Sequence, residues 1–156
     1  MSSQPRGQDR LTLEQQVCFA LTVADRRVVS VYRAVLEPLG LTHPQYLLMI
    51  ALWQHGPMSM RNLGRQLALD SGTLSPLVQR LEKAGLLERS RGREDERTVI
   101  VALTEKGVAL RERARRVPDD VIDRLGMSVE QLERLHVALL ELIEAAAAPS
   151  REAPRR

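Results

Sequence analysis

Residues 59–104 read SMRNLGRQLALDSGTLSPLVQRLEKAGLLERSRGREDERTVIVALT, and this stretch decides the fold. Ser59 stands as an N-cap before MRNLGRQLAL, and a break at Asp70, Ser71 and Gly72 leads into TLSPLVQRLEKAG. The pattern predicts two short helices joined by a tight polar turn. In the second, Leu74, Leu77, Val78 and Leu81 recur at steps of three and four and so share an inward face. Thr73, Ser75, Gln79 and Arg80 are left outside, and Gly85 gives the helix a natural stop. LLERSR and RTVIVAL follow as two strand candidates. Val99, Val101 and Leu103 alternate onto one face of the second, and GREDE makes a charged hairpin tip between them.

Helix, turn, helix and charged hairpin is the order of a winged helix-turn-helix. A helix of about 10–12 Å diameter enters the DNA major groove, where base edges show a distinguishable pattern of donors and acceptors. Small polar residues suit that face. Ser71, Thr73 and Ser75 offer hydroxyls to phosphates or bases, Gln79 an amide for an adenine edge, and Arg80 a guanidinium for guanine or phosphate. In the hairpin, Arg89, Arg91, Arg93 and Arg97 can reach backbone or an adjacent minor groove, whose negative potential attracts arginine. Asp95, two residues before Arg97, is placed to hold that guanidinium by a bidentate pair. The competing reading is an ordinary solvated helix face and charged turn.

Charge supports the DNA reading once it is located. The chain has 156 residues and a formal charge of +3, carried by residues 1–10 and 149–156, so the body is neutral. Within that body, residues 61–116 hold 13 basic against 8 acidic side chains, and residues 117–148 hold 2 against 7. The basic character belongs to the segment of the two helices and hairpin. With 44% hydrophobic and 28% charged residues, the composition is that of a globular domain and excludes a collagen-like or disordered chain. The opening MSSQPRGQDR has no apolar core, and no apolar run is long enough to span a bilayer. The expected address is therefore cytoplasmic, with no membrane partner.

Before this stretch, residues 11–36 predict a long helix whose stripe runs through Val17, Leu21, Ala24, Val28, Val31 and Val35. A second apolar stripe, with Cys18, Phe19, Val23, Val29, Tyr32 and Leu36, lies beside it. That is more apolar surface than one small core needs, which predicts a partner chain. Pro38 and Gly40 end the helix. Thr42 and Gln45 suggest a capping box for PQYLLMIALWQ, where Met49, Leu52 and Trp53 fall on core positions. After the hairpin, Thr104 caps a helix that Pro118 is expected to kink or break. Ser128 and Gln131 cap the last helix, striped by Leu132, Leu135, Leu139 and Ile143. The fold class expected is mainly α with a small β-hairpin wing. Residues 1–10 and 149–156 are assigned as flexible tails, 11–40 and 105–148 as dimerisation helices, and 41–104 as the winged helix-turn-helix.

These residues resemble the MarR family of bacterial repressors. The resemblance rests on GLTHPQY before the first core helix, DSGTLSPLVQRLEKAGLL for the recognition helix, and EDERTVIVALTEKG for the wing and its exit. VCFALTVADRRVVSVYR brings it nearer the organic-hydroperoxide-responsive, or OhrR, branch. The resemblance implies a homodimer with intertwined first and last helices and a recognition helix around residues 72–84. It also implies wing residues matching Asp95 and Arg97 at a pseudo-palindromic operator in double-stranded DNA, and a regulator rather than an enzyme.

Cys18, the only cysteine, matches the position of that branch's peroxide-sensing cysteine, and Tyr32 matches the first of two tyrosines that donate hydrogen bonds to the reactive sulfur. Cys18 and Tyr32 are 14 residues apart on one helix, about 21 Å at 1.5 Å per residue. They can meet only if a dimer mate supplies the tyrosine. His43 stands where the branch has its second tyrosine. Histidine can donate a hydrogen bond as the phenol does or, as imidazolium, favour a thiolate. The alternative is a repressor of the same fold controlled by a small aromatic or anionic ligand, with Cys18 a core residue. A thiol peroxidase would need a resolving partner that one cysteine does not provide. No cofactor and no metal is expected: His43, His55, His136 and Cys18 lack ligand spacing, and Asp119, Asp120, Asp123, Glu130 and Glu133 read as a solvated face.

Overall fold

The computed structural model describes Thr12 and residues 16–147. The expected tails, 1–10 and 149–156, and the first residues of the opening helix lie outside the described residues. The chain divides into two compact units, Met1–Val117 and Pro118–Arg156.

In the first unit, α1 (Val17–Leu36) ends in a 3-10 turn, Glu37–Leu39, with Gly40 at φ +68. Then come α2 (His43–His55), β1 (Met58–Ser59), α3 (Met60–Leu67), α4 (Ser71–Lys83), β2 (Leu87–Arg91), β3 (Val99–Leu103) and α5 (Glu105–Ala114). The capping box before α2 forms as expected: the Gln45 amide donates to Thr42 Oγ1 at 3.4 Å, and the Thr42 amide donates to Gln45 Oε1 at 3.0 Å. Ser59 and Thr104 cap α3 and α5.

The two expected strands pair antiparallel, with Leu87 opposite Leu103 and Arg91 opposite Val99. A third strand was not expected. β1 pairs with β3, Ser59 opposite Ile100, giving the sheet order β1-β3-β2. Two residues are too few for a strand periodicity to be visible, yet this pairing brings the start of α3 to the wing.

The core gathers Leu36, Leu48, Met49, Leu52, Leu63, Leu74, Val78, Leu81, Leu87 and Val101, all fully buried. Each side chain contributes roughly 1.5–3 kcal/mol by leaving water. Trp53 is half-buried, and its Nε1 donates to the Gly107 carbonyl at 2.9 Å. No helix among the described residues is long and apolar enough to cross a membrane.

The chain passes to the second unit within α6 (Val117–Leu125), followed by α7 (Val129–Ala147). The helical break comes at Arg115 and Arg116, ahead of Pro118. Pro118 is the second residue of α6, where a missing N–H breaks no intrahelical bond, so it begins a helix rather than interrupting one. The capping box of α7 forms, with the Ser128 amide 2.8 Å from Gln131 Oε1 and the Gln131 amide 3.2 Å from Ser128 Oγ. No residue of α7 is buried. His136, expected at a core edge, is exposed.

Candidate nucleic-acid interface and thiol site

Helix α4 begins at Ser71, two residues earlier than the polar run suggested. Asp70 is the N-cap and its Oδ1 accepts the Thr73 amide at 2.8 Å, so Ser71 and Gly72 belong to the first helical turn. The bonds from Thr73 hold the Asp70 carboxyl below its ordinary range. Ser71, Thr73, Gln79 and Arg80 are exposed and Ser75 is half-buried, on the side away from Leu74, Leu77, Val78 and Leu81. Pro76 lies inside the helix, with no N–H to offer the Gly72 carbonyl. Both residues are exposed, so water can take the orphaned acceptor.

The far end of α4 is tied to the start of α5. Thr104 Oγ1 donates to the Gly85 carbonyl at 2.6 Å, Lys106 Nζ to the Ala84 carbonyl at 2.8 Å, and the Thr104 amide to the Leu86 carbonyl at 3.1 Å. Gly107 is required there, because a Cβ on it would overlap the Leu86 carbonyl oxygen.

At the wing tip, the Gly92 amide donates to the Thr98 carbonyl at 2.7 Å and the Thr98 amide to the Asp95 carbonyl at 3.0 Å. Asp95 has a different task from the one its spacing suggested. Its Oδ1 accepts the Arg97 backbone amide at 2.9 Å and its Oδ2 accepts Thr98 Oγ1 at 3.3 Å, so it fixes the turn rather than the Arg97 guanidinium. Arg91, Arg93 and Arg97 are exposed. Arg89 is engaged: its Nε and Nη2 donate to Glu82 Oε2 at 3.0 and 2.7 Å. Ser59, Met60, Arg61, Asp95, Arg97 and Thr98 line a cleft of about 380 Å³ between α3 and the wing. Arg61 is a cation of this face that the sequence did not single out. Its nearness to Arg97 depends on the β1–β3 pairing.

Cys18 is exposed near the start of α1, outside this chain's core. Thr22 Oγ1 donates to its carbonyl at 2.8 Å. At the other end of α1, Tyr32 meets His43 with ring centroids 4.5 Å apart and Tyr46 at 6.0 Å. Burial raises both phenols above their ordinary pKa and lowers His43, against a smaller upward pull from Asp25. Burial thus favours the neutral imidazole, a hydrogen-bonding group, over the cation. The structure thus brings Tyr32 and His43 together within one protomer and leaves Cys18 apart from them. Among the described residues, no three of His, Cys, Asp and Glu converge to hold a metal.

A polar helix face beside a three-stranded wing, on the basic part of the chain, defines a winged helix-turn-helix DNA-binding transcriptional regulator. Residues 41–99 match the MarR family, and an organic hydroperoxide resistance transcriptional regulator of Bacillus subtilis is 41% identical over 87% of this chain and 92% of that one. The HTH-type regulator MgrA of Staphylococcus aureus is 34% identical over 88% of this chain and 94% of its own. The solved structure of reduced AbfR bound to DNA superposes with TM-score 0.72 and 28% identity, covering 87% of this chain and 95% of that one. The chain belongs to the MarR family.

Proposed function

We propose that the chain is a homodimeric repressor that leaves a pseudo-palindromic operator when organic hydroperoxide oxidises Cys18. The partner's Tyr32 and the partner's His43 would lie beside the sulfur. The observation that carries this reading is the separation of an exposed Cys18 from the Tyr32–His43 pair along one helix, about 21 Å, which a second copy can close. The surface for that copy is available: Val17, Phe19 and Val23 on α1 and Leu135, Leu140 and Ile143 on α7 are exposed. The similarity to an organic hydroperoxide resistance regulator points the same way.

The chemistry is a displacement. The Cys18 thiolate attacks the distal peroxide oxygen, an S–O bond forms as the O–O bond breaks, and the departing alkoxide takes a proton to become an alcohol. The sulfur is left as sulfenic acid, open to a mixed disulfide or further oxidation. Tyr32 and neutral His43 donate hydrogen bonds to the sulfur. The new polar group in a dimer contact then moves the two α4 helices off the spacing of about 34–36 Å that one DNA turn demands. On DNA, Ser71, Thr73, Ser75, Gln79 and Arg80 read the major groove, and Arg91, Arg93 and Arg97 reach the backbone or minor groove. Chromosomal DNA as partner and a thiol kept reduced both call for the cytoplasm.

Cys18→Ser should bind operator as wild type does and stay bound under cumene hydroperoxide. Release of the variant at the wild-type rate would overturn the switch. A second reading, control by a small aromatic or anionic ligand, has one observation in its favour. A cleft of about 550 Å³ is lined by Val29, Arg33, Glu37, Leu41, Thr42, His43 and Pro44, so a cation and an aromatic ring share its wall with one carboxylate. Release of Cys18→Ser by a phenolic acid would select it.

A further inference from the structure

Arg89 differs from the other cations of α4 and the wing. Strand alternation puts Leu87, Arg89 and Arg91 on one face of β2, and Leu87 is buried on that face. Arg89 therefore emerges at the seam where the sheet meets α4, next to the helix edge that carries Glu82 beyond the buried Leu81. Its Nε and Nη2 both close on Glu82 Oε2, with the two side chains 33% and 34% exposed. Among the described residues, Arg61, Arg80, Lys83, Arg91, Arg93 and Arg97 have no such ion pair.

A cation on a DNA-facing seam has a sequence-blind effect. Each phosphate it neutralises adds affinity for any duplex and steepens the loss of binding with salt. A guanidinium already holding two charge-assisted bonds to a carboxylate must give them up to reach a phosphate. We propose that Glu82 is a specificity-determining residue: by holding Arg89 at the seam between recognition helix and wing, it keeps that cation off DNA phosphates. Discrimination is then left to the polar face of α4 and the wing tip. The proposal rests on DNA binding through α4 and the wing.

The test is equilibrium binding, across a salt series, of wild type, Glu82→Gln, Arg89→Gln and the double variant. The probes are a short random-sequence duplex and an operator selected from a random pool. Glu82→Gln should bind the random duplex several-fold tighter at low salt, with a log–log salt slope steeper by about one per protomer. Its preference for the operator should fall, and the double variant should return to the wild-type slope. An unchanged slope in Glu82→Gln would overturn the proposal. So would a steeper slope that persists in the double variant, because the carboxylate would then act by its charge alone. If Glu82→Gln lowers the melting temperature, Arg89→Lys keeps the charge without the two-bond contact and should shift the random-duplex slope the same way. If wild type bound neither duplex, the DNA-binding reading itself would fall, and the proposal with it.

Discussion

His43 sits in the first turn of α2 with its ring against Tyr32, and burial there disfavours its charged form. The folded state accepts this proton less readily than the unfolded chain, whose histidine titrates near 6.5. The contribution to stability is therefore intact above that pH and is lost as pH falls through the lower folded value. The urea midpoint should drop between about pH 7 and pH 5, and His43→Gln should lessen that drop. An equal drop in the variant would assign the effect elsewhere. Burial of Tyr32 and Tyr46 has the opposite sense: both phenols keep their protons in the fold, and stability falls as pH rises past 10. At this scale the sequence was a partial guide. It marked Cys18, Tyr32 and His43 by position, but the tilted contact of two rings 11 residues apart depends on how α1 crosses α2, which no local pattern records. Asp95 was marked for the wing, while its bond to a backbone amide depends on the turn's conformation.

Among elements, the helix-turn-helix was the most legible, because Leu74, Leu77, Val78 and Leu81 had to face inward together and the caps at Thr42, Ser59, Thr104 and Ser128 have local signatures. The start of α4 was misjudged because Ser and Gly after an acid look like a loop, when the acid caps a helix that contains them. The α4–α5 junction was invisible in sequence. Gly107→Ala should cost about 1–3 kcal/mol, since a close-packed site must shift to admit the methyl, and thermal or urea unfolding would show it. Ala68 ends α3 with φ 52, a left-handed conformation that glycine adopts freely. Ala68→Gly should gain about 1 kcal/mol, and a loss would show that the methyl packs usefully. Arg97 lines the wing cleft with Arg61, and among the described residues its guanidinium is in no ion pair. Arg97→Ala should weaken operator binding and make its log–log salt slope about one unit shallower per protomer. An unchanged slope would remove the wing from the phosphate contacts.

Across the whole molecule, the formal charge of +3 said little until it was divided, and its basic middle carries α3, α4 and the wing. The apolar surface divides as well. The core of the first unit is closed, whereas Phe19 of α1 is 42% exposed and Ile143 of α7 is 63% exposed, which one chain leaves in water. Phe19→Asp with Leu140→Asp should therefore shift the protein from dimer to monomer in light scattering and weaken operator binding. A stable dimer in the variant would place the interface elsewhere. A composite thiol site also predicts complementation. Cys18→Ser and Tyr32→Phe protomers, each impaired alone, should form mixed dimers with one intact site.

The most direct measurement follows operator release and Cys18 oxidation together, titrating the purified protein on labelled operator with cumene hydroperoxide and weighing the Cys18 peptide at each point. The released fraction should rise with the oxidised fraction and return when a reductant restores the thiol from its sulfenic or disulfide form. Protein with Cys18 fully oxidised and the operator still bound would contradict the account.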